Sequence, residues 1–234
     1  MSRRTLLREL PHLAAIAAMF IYAAVRWPGA PDRFPAHWGF SGQVDRYGGK
    51  FEGLLLLPLI GIGIYLLLLA LPRIDPSGQN YQRFATAYSV IRLLVLGVVG
   101  FLYVVIQVSA SGNDVNINLV IGLLMGGMFV VLGSVLGRIK PNYLVGVRTP
   151  WTLASQASWT ATHRVSGWLF MVSGAITIVI TLFKPNAGVI VMLVTILTST
   201  VIAVAYSYWA FSKDEERIPV MGSPKQQDTG KDKS

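Results

Sequence analysis

With 234 residues, 53% of them hydrophobic and only 13% charged, and a mean hydropathy of +0.54, the chain is too apolar for a soluble domain and reads as an integral membrane protein. The formal net charge of +9 does not indicate nucleic-acid binding, because Lys and Arg gather in short connections and tails rather than on a soluble amphipathic face. The absence of cysteine excludes disulfides, thiol catalysis and Cys-based metal or redox centres.

A bilayer core asks for roughly 20 predominantly apolar residues per helix. Six segments meet or approach this: 10 to 27, 52 to 71, 86 to 108, 117 to 137, 166 to 183 and 187 to 211. The first follows Arg3, Arg4 and Arg8; Ala23 and Ala24 at its end leave signal-peptide cleavage open, but it is read as a retained helix. The expected fold is an all-α, six-helix transmembrane bundle with an ordered outer loop and a cytoplasmic interfacial helix. Along the chain this gives two spans with an outer loop at 28–51 (1–71), two further spans (72–137), a polar loop with the last hairpin (138–211) and a disordered tail (212–234). Only Lys184, Pro185 and Asn186 join the last two spans, so these form an antiparallel hairpin.

Six spans place both termini on one side. Fourteen Lys and Arg lie in the termini and the second and fourth connections, against four in the other connections. Positive residues mark the cytoplasmic side, so both termini are expected there. Trp27 and Trp38 then flank the outer end of the first span, and Trp151, Trp159, Trp168 and Trp209 the inner face.

The outer loop, PDRFPAHWGFSGQVDRYGGK, is punctuated by Pro and Gly, which implies defined turns. Its candidate contact residues are His37, Trp38, Gly42, Asp45 and Lys50. His37 and Asp45 are two potential metal ligands where a closed site needs three or four, so no metal site is predicted. Hydrogen bonds to loop backbone or to Arg46, holding a cap over the helices, are the alternative. His12 and His163 lie near the opposite face, roughly 30 Å of hydrocarbon away. HEXXH and GXSXG are both absent, so no catalytic residues and no cofactor are predicted, and the chain is not expected to be an enzyme.

In the third span, Arg92 either snorkels to the inner headgroups or pairs in the interior. No acidic residue lies well within any span to serve as a partner, which argues against a proton relay. In the fourth span Gly122, Gly126, Gly133 and Gly137 permit close helix approach, within the bundle or between copies, and the oligomeric state stays open.

The polar stretch from Lys140 to Arg164, KPNYLVGVRTPWTLASQASWTATHR, is an island between apolar segments. Gly146 allows a turn, and Thr149 before Pro150 is a helix start. From about Trp151 to His163 a short amphipathic helix is expected in the inner interface, with Thr152, Gln156, Thr160 and Arg164 as its polar stripe. Arg148, with five donors and a permanent charge, suits a carboxylate, a phosphate or backbone carbonyls.

NYLVGVRTPWTLAS, followed by Trp159, Thr162 and His163, resembles the signature of the SdpI-type immunity protein family. FPAHWGFSGQVDRYGGK and the later PRIDPSGQNYQRF resemble the domain of unknown function that precedes that signature. The resemblance implies a polytopic bacterial membrane protein that protects its cell from a secreted membrane-active peptide toxin. It also implies a winged-helix repressor held at the membrane when toxin is bound. On that analogy the outer loop meets toxin, while Asn142, Arg148, Thr149, Trp151, Thr152, Trp159 and His163 form the inner partner site. A small-solute or lipid transporter using Arg92 as an anion site, and a membrane metalloenzyme, are the alternatives. Apart from the lipid bilayer, neither a nucleic-acid partner nor a specific toxin is identified.

Overall fold

The structure, a computed structural model, describes residues 3–215, with side chains from Glu9 onward. Among the described residues six helices are long and apolar enough to cross a membrane, and they make the chain a multi-pass bundle. The expected tail lies, beyond Glu215, outside the described residues.

Helix α1 spans Arg3–Arg26, and its buried row is Glu9, His12, Ile16, Met19 and Ala23, a three-four spacing that keeps one face inward. Strands β1 (Phe34–Trp38) and β2 (Val44–Gly48) pair antiparallel, so the outer loop is a hairpin set against the bundle. Phe34 is buried against Gly53, where an added Cβ would come within 2.1 Å of its ring. Gly53 lies in a π-helical segment, Phe51–Leu56, which runs directly into α2 (Leu57–Ile74).

A 3-10 segment, Gly78–Phe84, opens α3 (Ala85–Ala110), whose inward row includes Tyr88, Arg92, Leu96, Val99 and Tyr103. Helix α4 spans Ile117–Leu136. The last pair are α6 (Gln156–Phe183) and α7 (Pro185–Ser212), and Pro185 takes the first turn of α7, where its missing N–H costs nothing.

Gly122, Gly126 and Gly133 of α4 pack against α6. A Cβ on Gly133 would lie 2.5 Å from the Gly167 carbonyl oxygen of α6, and one on Gly174 2.5 Å from that of Gly126. Backbone meets backbone here, so no side chain can yield. Gly133→Ala is therefore expected to destabilise the protein by about 1–3 kcal/mol, read as a lower melting temperature in detergent; an unchanged melting temperature would rule out this packing.

The expected helix from Trp151 to His163 is not one element. Helix α5 covers only Pro150–Ala154, Ser155 is extended (φ −147°, ψ 122°), and α6 then continues unbroken into the span. Two consecutive caps cause the break: Thr149 accepts from the Thr152 N–H, and Ser155 from the Ser158 N–H. Ser158, Trp159, Thr162 and His163 are buried, so this segment does not lie flat in an interface.

Candidate functional site

The signature loop is built around two buried side chains. Asn142 accepts from the backbone N–H groups of Leu144 and Val145 at 3.0 and 2.6 Å, and donates to the carbonyls of Lys140 and Val145. His163 accepts from the Val147 N–H at 3.1 Å and donates to the Trp159 carbonyl at 2.8 Å, with its ring stacked on Trp159 at 4.2 Å. The Trp159 indole donates in turn to the Ile139 carbonyl. Gly146, at φ 110°, crosses directly over the imidazole, where a Cβ would lie 2.3 Å from Nε2.

Sequence reasoning missed the residues that fasten this loop to the bundle. Asp75 accepts from the Tyr81 hydroxyl and from the Tyr143 N–H, both at 3.0 Å, and Asn80 donates to the Pro141 carbonyl at 2.8 Å. All three lie in PRIDPSGQNYQRF, so the available signal was that motif's polar residues beside its prolines. Thr149 meets Ser207 of α7 at 3.0 Å, and the Ser158 hydroxyl donates to the Ser207 carbonyl at 2.8 Å. Ser155 donates to Asp214.

Asn142, Thr149, Thr152, Trp159 and His163 are thus buried holders of the loop. Of the predicted inner residues, Arg148 is exposed and Trp151 half-buried. Arg148 donates to the Tyr143 carbonyl at 2.7 Å with one nitrogen, and Trp151 packs edge-on to Tyr208 of α7 at 5.2 Å. Tyr143 and Leu153 are exposed on the same loop.

At the opposite end, the His37 ring lies 2.6 Å from an Asp45 carboxylate oxygen on the facing strand. They bond to each other rather than to Arg46, which pairs with Glu52 at 2.8 Å. Lys50 reaches Asp32 at 3.5 Å. Among the described residues no group of three or more His, Cys, Asp or Glu forms a metal-binding cluster. Gly42, at φ 80°, brings the hairpin tip against Asn118 of α4, which donates to the Phe40 carbonyl at 3.1 Å and to Asn186 at 2.8 Å. Trp38 and His37 border a cavity of about 480 Å³ between the hairpin, α3 and α4.

Arg92 does not snorkel. It is 7% exposed and holds the Glu9 carboxylate with both terminal nitrogens, at 2.9 and 2.5 Å. Tyr65 of α2 donates to the same carboxylate at 2.9 Å, and Arg92 stands over the Tyr65 ring at 5.3 Å. The expectation that no acid was available fails because Glu9, placed just outside the first span, belongs to the inward row of α1. A guanidinium already matched by a carboxylate offers no net charge to a transported anion.

Residues 138–208 match the SdpI/YfhL protein family, and residues 14–62 match a domain of unknown function, DUF1648. The chain carries an SdpI/YfhL region. DUF1648 covers the hairpin but ends before PRIDPSGQNYQRF, so that motif falls between the SdpI region and its companion. The chain is also similar to "Immunity protein SdpI" of Bacillus subtilis (strain 168), 24% identical over 206 residues, covering 88% of this chain and 97% of that protein. No solved structure matches. The SdpI region begins at the end of α4 and includes the loop, α5, α6 and most of α7.

Proposed function

We propose that this chain is a membrane immunity protein that protects its cell from a membrane-active peptide toxin. The observation that carries the reading is the similarity to Immunity protein SdpI along 97% of that protein's length. Two rigid polar elements at opposite ends of one bundle support it, since a sensor needs a surface on each side of the membrane. The distribution of Lys and Arg supports a topology with the signature loop and both termini in the cytoplasm and the hairpin outside.

On this reading the hairpin and its cavity face the toxin, with Trp38 and His37 at the rim. Arg148, Trp151, Tyr143 and Leu153 present the inner surface to a cytoplasmic repressor, held at the membrane when toxin binds. The buried Asn142 and His163 keep that surface in one shape rather than touching the partner. No catalytic role is assigned to any residue.

Expression in a sensitive bacterium is expected to raise the tolerated dose of a membrane-active peptide, tested across a panel that includes a peptide encoded beside the gene. Arg148→Ala or Trp151→Ala should lower repressor recruitment at least several-fold while membrane insertion, followed by fractionation, stays unchanged. Absence of protection across the panel argues against immunity; full recruitment in both variants argues against this inner surface.

A further inference from the structure

The end of the 3-10 segment with the first turn of α3, and the turn that follows α4, enclose a cleft of about 520 Å³ at the signature end. Gln82, Arg83 and Thr86 line one wall, and Gly137, Arg138 and Lys140 the other. Arg83, Arg138 and Lys140 are exposed, and no Asp or Glu lines the cleft. Among the described residues none of the three forms an ion pair, whereas Arg46, Lys50 and Arg92 each have a carboxylate. The acid nearest in sequence, Asp75, is buried and already accepts from Ser77, Tyr81 and Tyr143.

Three like charges converging on one concave surface focus a positive potential there, and the positive end of α3, a 26-residue helix, adds to it. Such a cleft favours an anion. Its position selects the kind: it lies between two membrane spans, and exposed apolar residues continue down both walls. Leu93 lies seven residues beyond Thr86 on α3, about two turns deeper, and Val131 lies on α4 five residues before its end at Leu136. A ligand with a phosphate at the top and hydrocarbon below fits both features.

We propose that this cleft is a headgroup site for an anionic phospholipid, with Arg83, Arg138 and Lys140 holding the phosphate and the acyl chains lying along α3 and α4. The site is independent of the toxin and repressor readings. It also differs from Arg148, one of whose nitrogens is engaged by the Tyr143 carbonyl.

The test is native mass spectrometry of the full chain in detergent, titrated with phosphatidylglycerol or phosphatidylcholine of matched chains. Phosphatidylglycerol is expected to be retained about tenfold better than phosphatidylcholine. The double variant Arg83→Gln/Arg138→Gln should lose that preference, while Arg73→Gln/Lys213→Gln, with the same change of charge elsewhere, should keep it. If the double variant is not monodisperse, Arg138→Gln alone should weaken retention several-fold. Equal retention of the two lipids, or equal loss in both double variants, overturns the site. Displacement of phosphatidylglycerol by millimolar inorganic phosphate or glycerol 3-phosphate would overturn the lipid assignment in favour of a soluble anion.

Discussion

Glu9→Ala is expected to destabilise the protein by about 3–5 kcal/mol, because it leaves the buried Arg92 guanidinium without its carboxylate. Arg92→Ala should cost a similar amount, since the buried Glu9 carboxylate would lose both guanidinium hydrogen bonds and keep the Tyr65 hydroxyl, with the His12 ring 4.0 Å away. The diagnostic measurement is the double variant Glu9→Gln/Arg92→Gln. With no charge left to bury, it should recover much of the stability lost by either truncation, as read from unfolding in detergent. If the single truncations melt with the native protein, the pair is not a structural tie between α1, α2 and α3. The same measurement bears on transport: an anion-carrying Arg92 would leave stability intact and abolish flux, whereas a structural pair shows the reverse.

Gly146→Ala is the second substitution with a large expected effect. At φ 110° an alanine carries backbone strain of about 1–3 kcal/mol, and its Cβ also lands on the His163 ring. Displacing the imidazole breaks the bond from Val147, which anchors the segment leading to Arg148. The loop between Asn142 and Pro150 should become readily cleaved in limited proteolysis, and protection by the protein should fall, with membrane insertion retained. Adding His163→Ala should relieve the clash but also removes the acceptor for the Val147 N–H, so resistance to cleavage should not recover. Native resistance in Gly146→Ala would show that the loop does not depend on this crossing.

Much of the fold was legible because a bilayer imposes a length and a composition on each span. The fourth span expected at 117–137 became α4 at Ile117–Leu136, and the turn at Lys184 to Asn186 gave the hairpin of α6 and α7. Pro and Gly spacing announced an ordered outer loop, but strand pairing depends on which residues meet across the turn, so the β1–β2 register was not readable. The amphipathic pattern over 151–163 was real yet misplaced in role. Thr149 and Ser155 both cap helices, and two helix starts six residues apart leave no room for one long interfacial helix.

The site shows the same division. Asn142, Thr149, Thr152, Trp159 and His163 were picked out by their motif, but polarity in a sequence does not distinguish a side chain that meets a partner from one that ties down a loop. Arg92 was recognised as anomalous; its partner was not, because Glu9 sits 83 residues away and was assigned to a flank. The row Glu9, His12, Ile16, Met19 and Ala23 carried the signal, for it puts the carboxylate on the face that turns inward.

By itself the sequence determined that this is a multi-pass membrane bundle with a resemblance to the SdpI family, since hydrophobic length, charge placement and a long contiguous motif are all local properties. The tertiary structure decided the rest: that Glu9 neutralises Arg92, that Gly122, Gly126 and Gly133 of α4 pack against α6, and that PRIDPSGQNYQRF fastens the signature loop. Each of these depends on residues brought together from distant parts of the chain, where burial fixes the cost of an unmatched charge, an added methyl group or an unsatisfied hydrogen bond.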